Sequence, residues 1–273
     1  MKGNELRKRI RNGERVYGTL IVSDSPRWME VIGKTSLDYV FIDTEHIAID
    51  RKTLSWMCYA YRHLGFPVVV RIPGPDPYEA TKVLDAGACG IISPYTESVE
   101  EVEGLIAAVK TRPLKGAKVR DYVSGAAKPE PPLREYLAAH NSEHVLLINI
   151  ESRRGAENLE EMLSYEEVDG IVIGPHDLSC SHDMPEAYDD PRFVELVSSI
   201  IRRARGLGKG AGIHMTWQGD QQEIQWAKEG ANIILHKADI ILFAEHVRKE
   251  LDLMRGALGD AAADSTDNSN INI

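Results

Sequence analysis

Short runs of consecutive apolar residues recur along the chain and alternate with longer segments in which apolar residues return at helical spacing. The short runs are continuously apolar rather than alternating, which is typical of parallel strands covered on both faces. Segments between them, such as 100–110 and 190–208, have the spacing of amphipathic helices and often end in glycine. Eight strands are therefore predicted: 16–22, 39–43, 67–72, 90–94, 144–151, 170–174, 210–214 and 232–237.

Eight strand–helix units in a chain of 273 residues predict an α/β fold of the (β/α)8, or TIM, barrel type. An open, doubly wound sheet is the alternative, but no G-x-G-x-x-G motif follows an early strand. We interpret residues 1–255 as one domain. Segment 111–143 is rich in proline, glycine and charge, and predicts an excursion at an active site or an interface. Segment 256–273 is small and polar, and predicts a disordered tail.

Ionisable side chains follow most of the predicted strands. In a TIM barrel the carboxyl ends of the strands carry the active site, so side chains at these positions are candidates for chemistry. A single histidine or aspartate in a loop is usually solvated or structural, whereas this many at strand ends favours a functional site. The candidates are Asp43, Glu45, His46, Arg71, Glu151, His176, Asp177, His214 and His236.

Glu151 and Asp177 follow consecutive strands, which lie about 4.8 Å apart in a parallel sheet. Two carboxylates this close repel each other unless a cation lies between them. Oxygen ligands suit Mg²⁺ or Mn²⁺, and a site with two protein ligands leaves positions for water and substrate. The alternatives are a salt bridge to Arg153 or Arg154, and a helix N-cap role for Asp177.

A metal with open positions can chelate the carboxylate and keto oxygen of a 2-oxo acid and act as a Lewis acid on the carbonyl. Arg71 is then a candidate to stabilise the enolate oxygen. His46, oriented by Asp43, is a candidate to move protons near neutral pH. The alternative for Arg71 is a surface ion pair, although the charge stands at the end of a buried apolar run.

The composition narrows the possible partners. The chain has 42 acidic and 32 basic residues, a formal charge of −10, and no basic block, which argues against nucleic acid or an anionic membrane as partner. No apolar stretch is long enough to span a bilayer, and the first residues lack the apolar core of a secretory signal, so a cytoplasmic protein is expected. The three cysteines have no metal-type spacing, and we interpret all of them as buried thiols.

Five sequence blocks, taken in order, resemble the metal-dependent (class II) pyruvate aldolases of the HpcH/HpaI family, which also includes macrophomate synthase. The resemblance covers about residues 5–255. It implies a TIM-barrel lyase that cleaves or forms 4-hydroxy-2-oxo acids through a metal-stabilised pyruvate enolate. The blocks are DYVFIDTEH (38–46), VVVRIP (68–73), LDAGACGIISP (84–94), INIES (148–152) and DGIVIGPHDLS (169–179).

The resemblance also implies roles for single residues. Glu151 and Asp177 match the metal ligands, for which Mg²⁺, Mn²⁺ and Co²⁺ are the candidate ions. Arg71 matches the arginine that stabilises the enolate, and His46 with Asp43 matches the acid/base pair. The expected substrates are pyruvate or a related 2-oxo acid and an aldehyde.

Substrate contacts depart from the family pattern at several positions. The backbone N–H groups of His176 and Asp177 match those that bind the pyruvate carboxylate, but His176 replaces the usual alanine. Asn149 stands where the best-known members have a glutamine, so its contact to substrate is shorter or lost. His214 and His236 would make the acceptor side more polar.

Assembly is implied as well. Asp85 matches an acidic position that approaches a neighbouring subunit's site, and 239–255 has the length and amphipathic spacing of a final helix exchanged between subunits. A homotrimer or homohexamer is therefore expected.

Two other functions stay open. A CoA-thioester lyase of the citrate lyase β-like type would need a basic surface for the CoA phosphates, and none is visible beside the strand ends. A non-catalytic protein that binds a metal and a 2-oxo acid would be favoured by the loss of a ligand residue, and none is missing.

Overall fold

The structure is a computed structural model, and it describes residues 1–215 and 220–260. Eight parallel strands form a closed barrel in chain order, with the first strand paired to the last. This confirms the predicted TIM barrel and excludes the doubly wound sheet. The strands are β1 (Val16–Leu20), β2 (Tyr39–Asp43), β3 (Val68–Arg71), β4 (Gly90–Ser93), β5 (Val145–Ile150), β6 (Gly170–Ile173), β7 (Gly210–Met215) and β8 (Ile233–Ala238).

Helices cross over between the strands and surround the barrel. Several begin where the sequence supplies a cap; Ser98 and Glu101, for example, form a reciprocal capping box at the start of the helix after β4. The helices in the described part of the chain are α1 (Gly3–Asn12), α2 (Pro26–Ile32), α3 (Arg51–His63), α4 (Pro77–Asp85), α5 (Val99–Val109), α6 (Ala117–Val123), α7 (Pro131–His140), α8 (Arg153–Glu157), α9 (Leu159–Leu163), α10 (Pro175–Ser181), α11 (Pro191–Gly206), α12 (Asp220–Glu229) and α13 (Asp239–Leu258).

The strands are continuously apolar because both of their faces are buried. Phe41, Val69 and Leu147 belong to the cluster that fills the barrel interior. Their neighbours along the strands, such as Val70 and Ile148, belong to the cluster between the sheet and the surrounding helices. The core therefore holds each strand rigidly on two sides, so the residues that follow the strands start from fixed positions.

Helix α1 covers the amino-terminal end of the barrel, and buried charge anchors it there. Asp169, just before β6, is fully buried and accepts hydrogen bonds from Arg7 (2.8 Å), Arg11 (2.6 Å) and Lys110 (2.6 Å). Burial alone would raise the pKa of Asp169, but these cations hold it below its usual range. With this end covered, the carboxyl ends of the strands are the open end of the barrel.

The predicted excursion 111–143 contains α6 and α7, and it joins the carboxyl end of α5 to the amino end of β5. It therefore begins and ends at the amino-terminal face, because crossover helices run antiparallel to the strands. The mouth of the barrel is its open, carboxyl-terminal end, on the opposite side. The expectation that the excursion contributes to the active site is therefore wrong for the active site of its own chain. An interface role remains a prediction.

The last helix and one cysteine differ from the sequence-based expectations. Helix α13 continues to Leu258, so the prediction of disorder from residue 256 is wrong for its first residues, while 261–273 lies outside the described residues. Cys58 and Cys89 are buried as predicted, but Cys180 is exposed because it lies on the outer face of the short helix α10. Among the described residues, no helix combines the length and apolar character needed to cross a membrane.

Candidate active site

Polar side chains from five neighbouring strands meet at the open end of the barrel. Asp43 and Arg71 are the last residues of β2 and β3, and the two are register partners. Tyr95 follows β4, Glu151 follows β5, and Asp177 lies in the first turn of α10 after β6. Because these strands are consecutive in a parallel barrel, the five residues share one sector of the mouth.

Glu151 is buried at the centre of this sector and is only 5 % exposed. Its Oε1 accepts the backbone N–H of Tyr95 at 2.5 Å, and its Oε2 accepts the side-chain amide of Asn149 at 2.9 Å. Burial raises the pKa of Glu151, and the charges of Glu45 and Asp177 raise it further. A cation bound at this position would reverse both effects.

Gly174 lets the next turn approach Glu151 closely. A Cβ at residue 174 would lie 2.6 Å from Oε2 of Glu151, so a side chain here would displace the carboxylate. Gly174 is also the N-cap residue of α10, so the N-cap interpretation of Asp177 is wrong. The salt-bridge alternative is wrong too. Among the described residues neither Arg153 nor Arg154 forms an ion pair with Glu151 or Asp177, and Arg153 pairs with Asp183 instead.

The oxygen atoms in this sector are suitable ligands for a divalent metal ion. Two carboxylates contribute hard oxygen ligands, and the buried Oδ1 of Asn149 has no hydrogen-bond partner in the described structure. Within residues 1–215 and 220–260, no group of three or more His, Cys, Asp and Glu side chains is placed to hold a metal ion. The predicted site has only two protein ligands, Glu151 and Asp177, and water and substrate would complete it.

Arg71 is held by two buried carboxylates, and the surface ion-pair alternative is therefore wrong. Its side chain is 12 % exposed, and its guanidinium donates to Oδ1 and Oδ2 of Asp43 at 2.8 and 2.5 Å. Its Nε also lies 3.1 Å from Oε2 of Glu45. Burial alone would lower the pKa of Arg71 and raise that of Asp43, but the contact between them outweighs burial, so both stay charged.

His46 lies at the rim of the mouth, with 44 % of its side chain exposed. In the described structure Asp43 bonds Arg71 and the backbone N–H of Glu45, so the expectation that Asp43 orients the His46 ring by a hydrogen bond is wrong. Glu45 is nearest to this ring among the carboxylates, at 3.7 Å from Nε2 to Oε1. The sequence showed Glu45 two residues beyond β2 but did not assign it a role.

Two further histidines lie in different places. His176 is exposed beside Asp177, and its Nδ1 lies 3.2 Å from the Tyr188 hydroxyl. His236 lines a groove on the outer side of the barrel, where its Nδ1 lies 2.7 Å from Glu223. The expectation that His236 lies near the mouth is therefore wrong, because β8 turns this side chain outward.

His214, at the end of β7, packs edge-on against Phe41 with ring centroids 5.4 Å apart. Burial and the positive charge of Arg71 lower its pKa to about 4. The pKa of His214 is therefore lower in the folded protein than in the unfolded chain, where it is near 6.5. Its neutral ring contributes fully to stability above pH 6.5. This contribution is lost as the pH falls toward 4.

We therefore expect protonation of His214 to lower the free energy of unfolding by about 2 kcal/mol when the pH falls from 7 to 5. Denaturant unfolding at both pH values should show a smaller loss in His214→Gln than in the wild type. His63→Gln, which changes an exposed histidine, is the matched control and should keep the wild-type dependence. Equal losses in all three proteins would contradict a neutral His214.

Asp85 is the last residue of α4 and lies at the amino-terminal end of the barrel, where it pairs with Arg112. It is on the opposite face from Glu151 and Asp177 of the same chain. If Asp85 acts at an active site, that site belongs to a neighbouring subunit.

A closed parallel barrel with carboxylates, an arginine and a histidine at the carboxyl ends of its strands is the architecture of a TIM-barrel enzyme. A sequence model of the HpcH/HpaI aldolase/citrate lyase family matches residues 17–244. The chain belongs to this family, as the sequence blocks predicted.

Relatives of known name agree with this assignment. The chain is 28 % identical over 249 residues to the hydroxypyruvate/pyruvate aldolase of Roseovarius nubinhibens, covering 91 % of this chain and 95 % of the relative. It is 28 % identical over 254 residues to the 2-keto-3-deoxy-L-rhamnonate aldolase of Escherichia coli K12, covering 92 % and 93 %. A solved HpcH/HpaI aldolase from Desulfitobacterium hafniense DCB-2 has the same fold, with a TM-score of 0.77 at 24 % identity over 92 % of this chain and 96 % of that one. The protein is an aldolase.

Proposed function

We propose that this aldolase depends on a divalent metal ion and forms or cleaves 4-hydroxy-2-oxo acids, with pyruvate or a close relative as the enolate donor. The observation that carries the proposal is the sector of the mouth in which Glu151 lies near both Asp177 and a buried, charged Arg71. Two relatives named as aldolases of pyruvate-type and 2-keto-3-deoxy acid substrates support the choice of donor.

Each residue has a defined part in this reaction. Glu151 and Asp177 would hold Mg²⁺, Mn²⁺ or Co²⁺, which when bound supplies Lewis-acid polarisation of the 2-oxo group. Arg71 is already fixed by Asp43, so its remaining donors can stabilise the oxygen on which negative charge develops without reorganising. The first-turn N–H groups of His176 and Asp177 bind the substrate carboxylate.

Proton transfer falls to His46. Its ring is partly exposed at the rim, where it can reach a substrate or a water molecule. An imidazole ring can accept a proton in one step and donate it in another, so one ring can serve both halves of a cycle. Glu45, 3.7 Å from the ring, is the carboxylate placed to orient it.

Exchange of the pyruvate methyl protons tests this proposal without knowledge of the aldehyde. The protein is incubated with pyruvate in D₂O, and the methyl signal is followed by NMR. We expect exchange that stops on chelation and returns with Mg²⁺ or Mn²⁺. A protein that binds pyruvate but exchanges no protons with either metal would contradict the proposed enolate chemistry.

We also propose that the active enzyme is a homotrimer or homohexamer in which α13 packs on a neighbouring subunit. A groove of about 830 Å³ lies on the outer face between α2 and α12, where a barrel helix after β8 would pack. Its lining is mainly apolar and includes Tyr17, Trp28 and Ile224. The first turns of α13 of the same chain lie along one edge of this groove, where Leu242 and Phe243 line it and the Phe243 ring lies edge-on to Trp28. The later apolar residues of α13 stay exposed.

The exposed residues of α13 fit such a groove. Leu251 is 41 % exposed, Leu253 75 % and Met254 55 %, which is unusual for large apolar side chains on one helix. At 20 residues the helix is about 30 Å long, long enough to cross a neighbouring barrel.

Charged substitutions at the two surfaces should separate the subunits. Leu251→Glu on α13 and Ile224→Glu in the groove are each expected to give monomers of about 30 kDa in light scattering at micromolar concentration, because each would bury an unpaired carboxylate. Leu207→Glu is the matched control, since Leu207 and Ile224 are both 44 % exposed. A wild-type monomer with full aldolase activity would refute both the helix exchange and the shared site.

A further inference from the structure

Tyr95 has an unusual backbone conformation at the mouth of the barrel. Its φ of +50° lies in the left-handed region, which costs free energy for any residue with a side chain. This conformation directs its N–H group to Oε1 of Glu151 at 2.5 Å. The strain is therefore connected to the position of a proposed metal ligand.

The backbone contact alone does not explain the tyrosine. Glycine would give the same N–H group without strain, because it has no Cβ. The side chain is 49 % exposed, so it adds little to the core. Its hydroxyl lies near Glu45 and in the electrostatic field of Asp177 and Glu151, and its backbone N–H bonds Glu151, which together place the residue at the carboxylate-lined mouth.

The other polar groups of the site already have assigned roles in the proposed reaction. Metal ligands, Arg71 and the first turn of α10 face the 2-oxo acid, and His46 handles the proton. The Tyr95 hydroxyl has no such assignment, and its ring is half-exposed at the open end of the barrel, from which a second substrate would approach. A carboxylate on that substrate would be repelled by Glu45 beside the hydroxyl.

We propose that Tyr95 selects the acceptor, by donating a hydrogen bond from its phenol hydroxyl to an uncharged hydroxyl group next to the carbonyl of the aldehyde. This inference rests on the proposed function. In the free enzyme the phenol hydroxyl lies near Glu45, and rotation about its C–O bond directs the hydrogen to the acceptor when the acceptor arrives. An aldehyde without that hydroxyl gains nothing from this donor.

Tyr95→Phe removes the hydroxyl and keeps the ring, the backbone N–H group and the chain conformation. The test compares kcat/KM for glycolaldehyde and propanal, two aldehydes of similar size, with pyruvate as donor and Mn²⁺ present. The preference for glycolaldehyde over propanal should fall about three- to tenfold, the effect expected for one partly solvated hydrogen bond. Tyr136→Phe, at a tyrosine that is 51 % exposed on α7, is the matched control and should keep the wild-type preference.

The outcomes separate this inference from the proposed function. Wild-type protein that exchanges no pyruvate protons with metal would overturn the proposed function, and this inference with it. Wild-type protein that exchanges protons but does not use glycolaldehyde overturns the inference alone. An unchanged preference in Tyr95→Phe also overturns the inference. So does an equal loss of kcat/KM with both aldehydes, because the hydroxyl would then act through Glu45 and Arg71 rather than on the acceptor.

Discussion

Glu151→Gln is expected to abolish metal-dependent exchange of the pyruvate methyl protons while the barrel stays folded. An amide keeps the size of the side chain and can still accept the Tyr95 N–H, but it removes one of only two anionic ligands. The exchange rate should fall by more than the roughly 10- to 100-fold loss typical of removing a residue that only hydrogen-bonds to a metal ligand. NMR exchange with Mg²⁺ or Mn²⁺ after chelation measures it, and circular dichroism checks the fold.

Glu157→Gln is the matched control, since it makes the same chemical change at an exposed position on the short helix α8. Asp177→Asn should behave like Glu151→Gln, because the two carboxylates act on one ion. Wild-type exchange in either ligand variant would show that the metal site is assigned to the wrong residues. Loss of metal-independent stability in Glu151→Gln would instead point to a structural role.

Arg71→Lys should lower kcat about 10²- to 10³-fold at saturating pyruvate, the usual effect of removing one donor that stabilises a developing oxyanion. The guanidinium uses two nitrogens to bind Asp43, which leaves its third nitrogen as a donor for the substrate in a fixed plane. A lysine ammonium carries its charge on one nitrogen. It would pair with Asp43 or Glu45 and would not present a second donor to the substrate. Steady-state kinetics with saturating donor separates this effect from weaker binding.

Arg153→Lys makes the same substitution in an exposed ion pair and should leave kcat unchanged. Full activity of Arg71→Lys at saturating pyruvate would exclude this residue from enolate stabilisation. A raised KM with unchanged kcat would mean that Arg71 binds the substrate equally well before and during the reaction.

The barrel was predictable because its signal is local. Each strand is a continuous apolar run covered by the barrel interior on one face and by helices on the other, and this pattern is legible in a window of a few residues. The position of the candidate site was predictable for the same reason. A charged residue such as Arg71 or Glu151 that ends an apolar run must leave the core at the carboxyl end of its strand.

The partners of those residues were less predictable. Asp43 was expected to orient His46, its near neighbour in sequence, but it binds Arg71 because strand register places these two residues side by side. Tyr95 gave no sequence signal, since a left-handed backbone at a non-glycine residue is not visible in composition or spacing. Glu45 was visible, but its contact to Arg71 depends on how the loop after β2 folds back.

The sequence by itself therefore determined the architecture and the chemical groups available at the mouth, since hydrophobic periodicity and strand ends are properties of short segments. Only the tertiary structure decided which groups meet. His236 faces an outer groove rather than the mouth because successive residues of a strand point to opposite sides, so a shift of one position changes the face. Excursion 111–143 lies at the amino-terminal face because α5 returns the chain there before β5 begins.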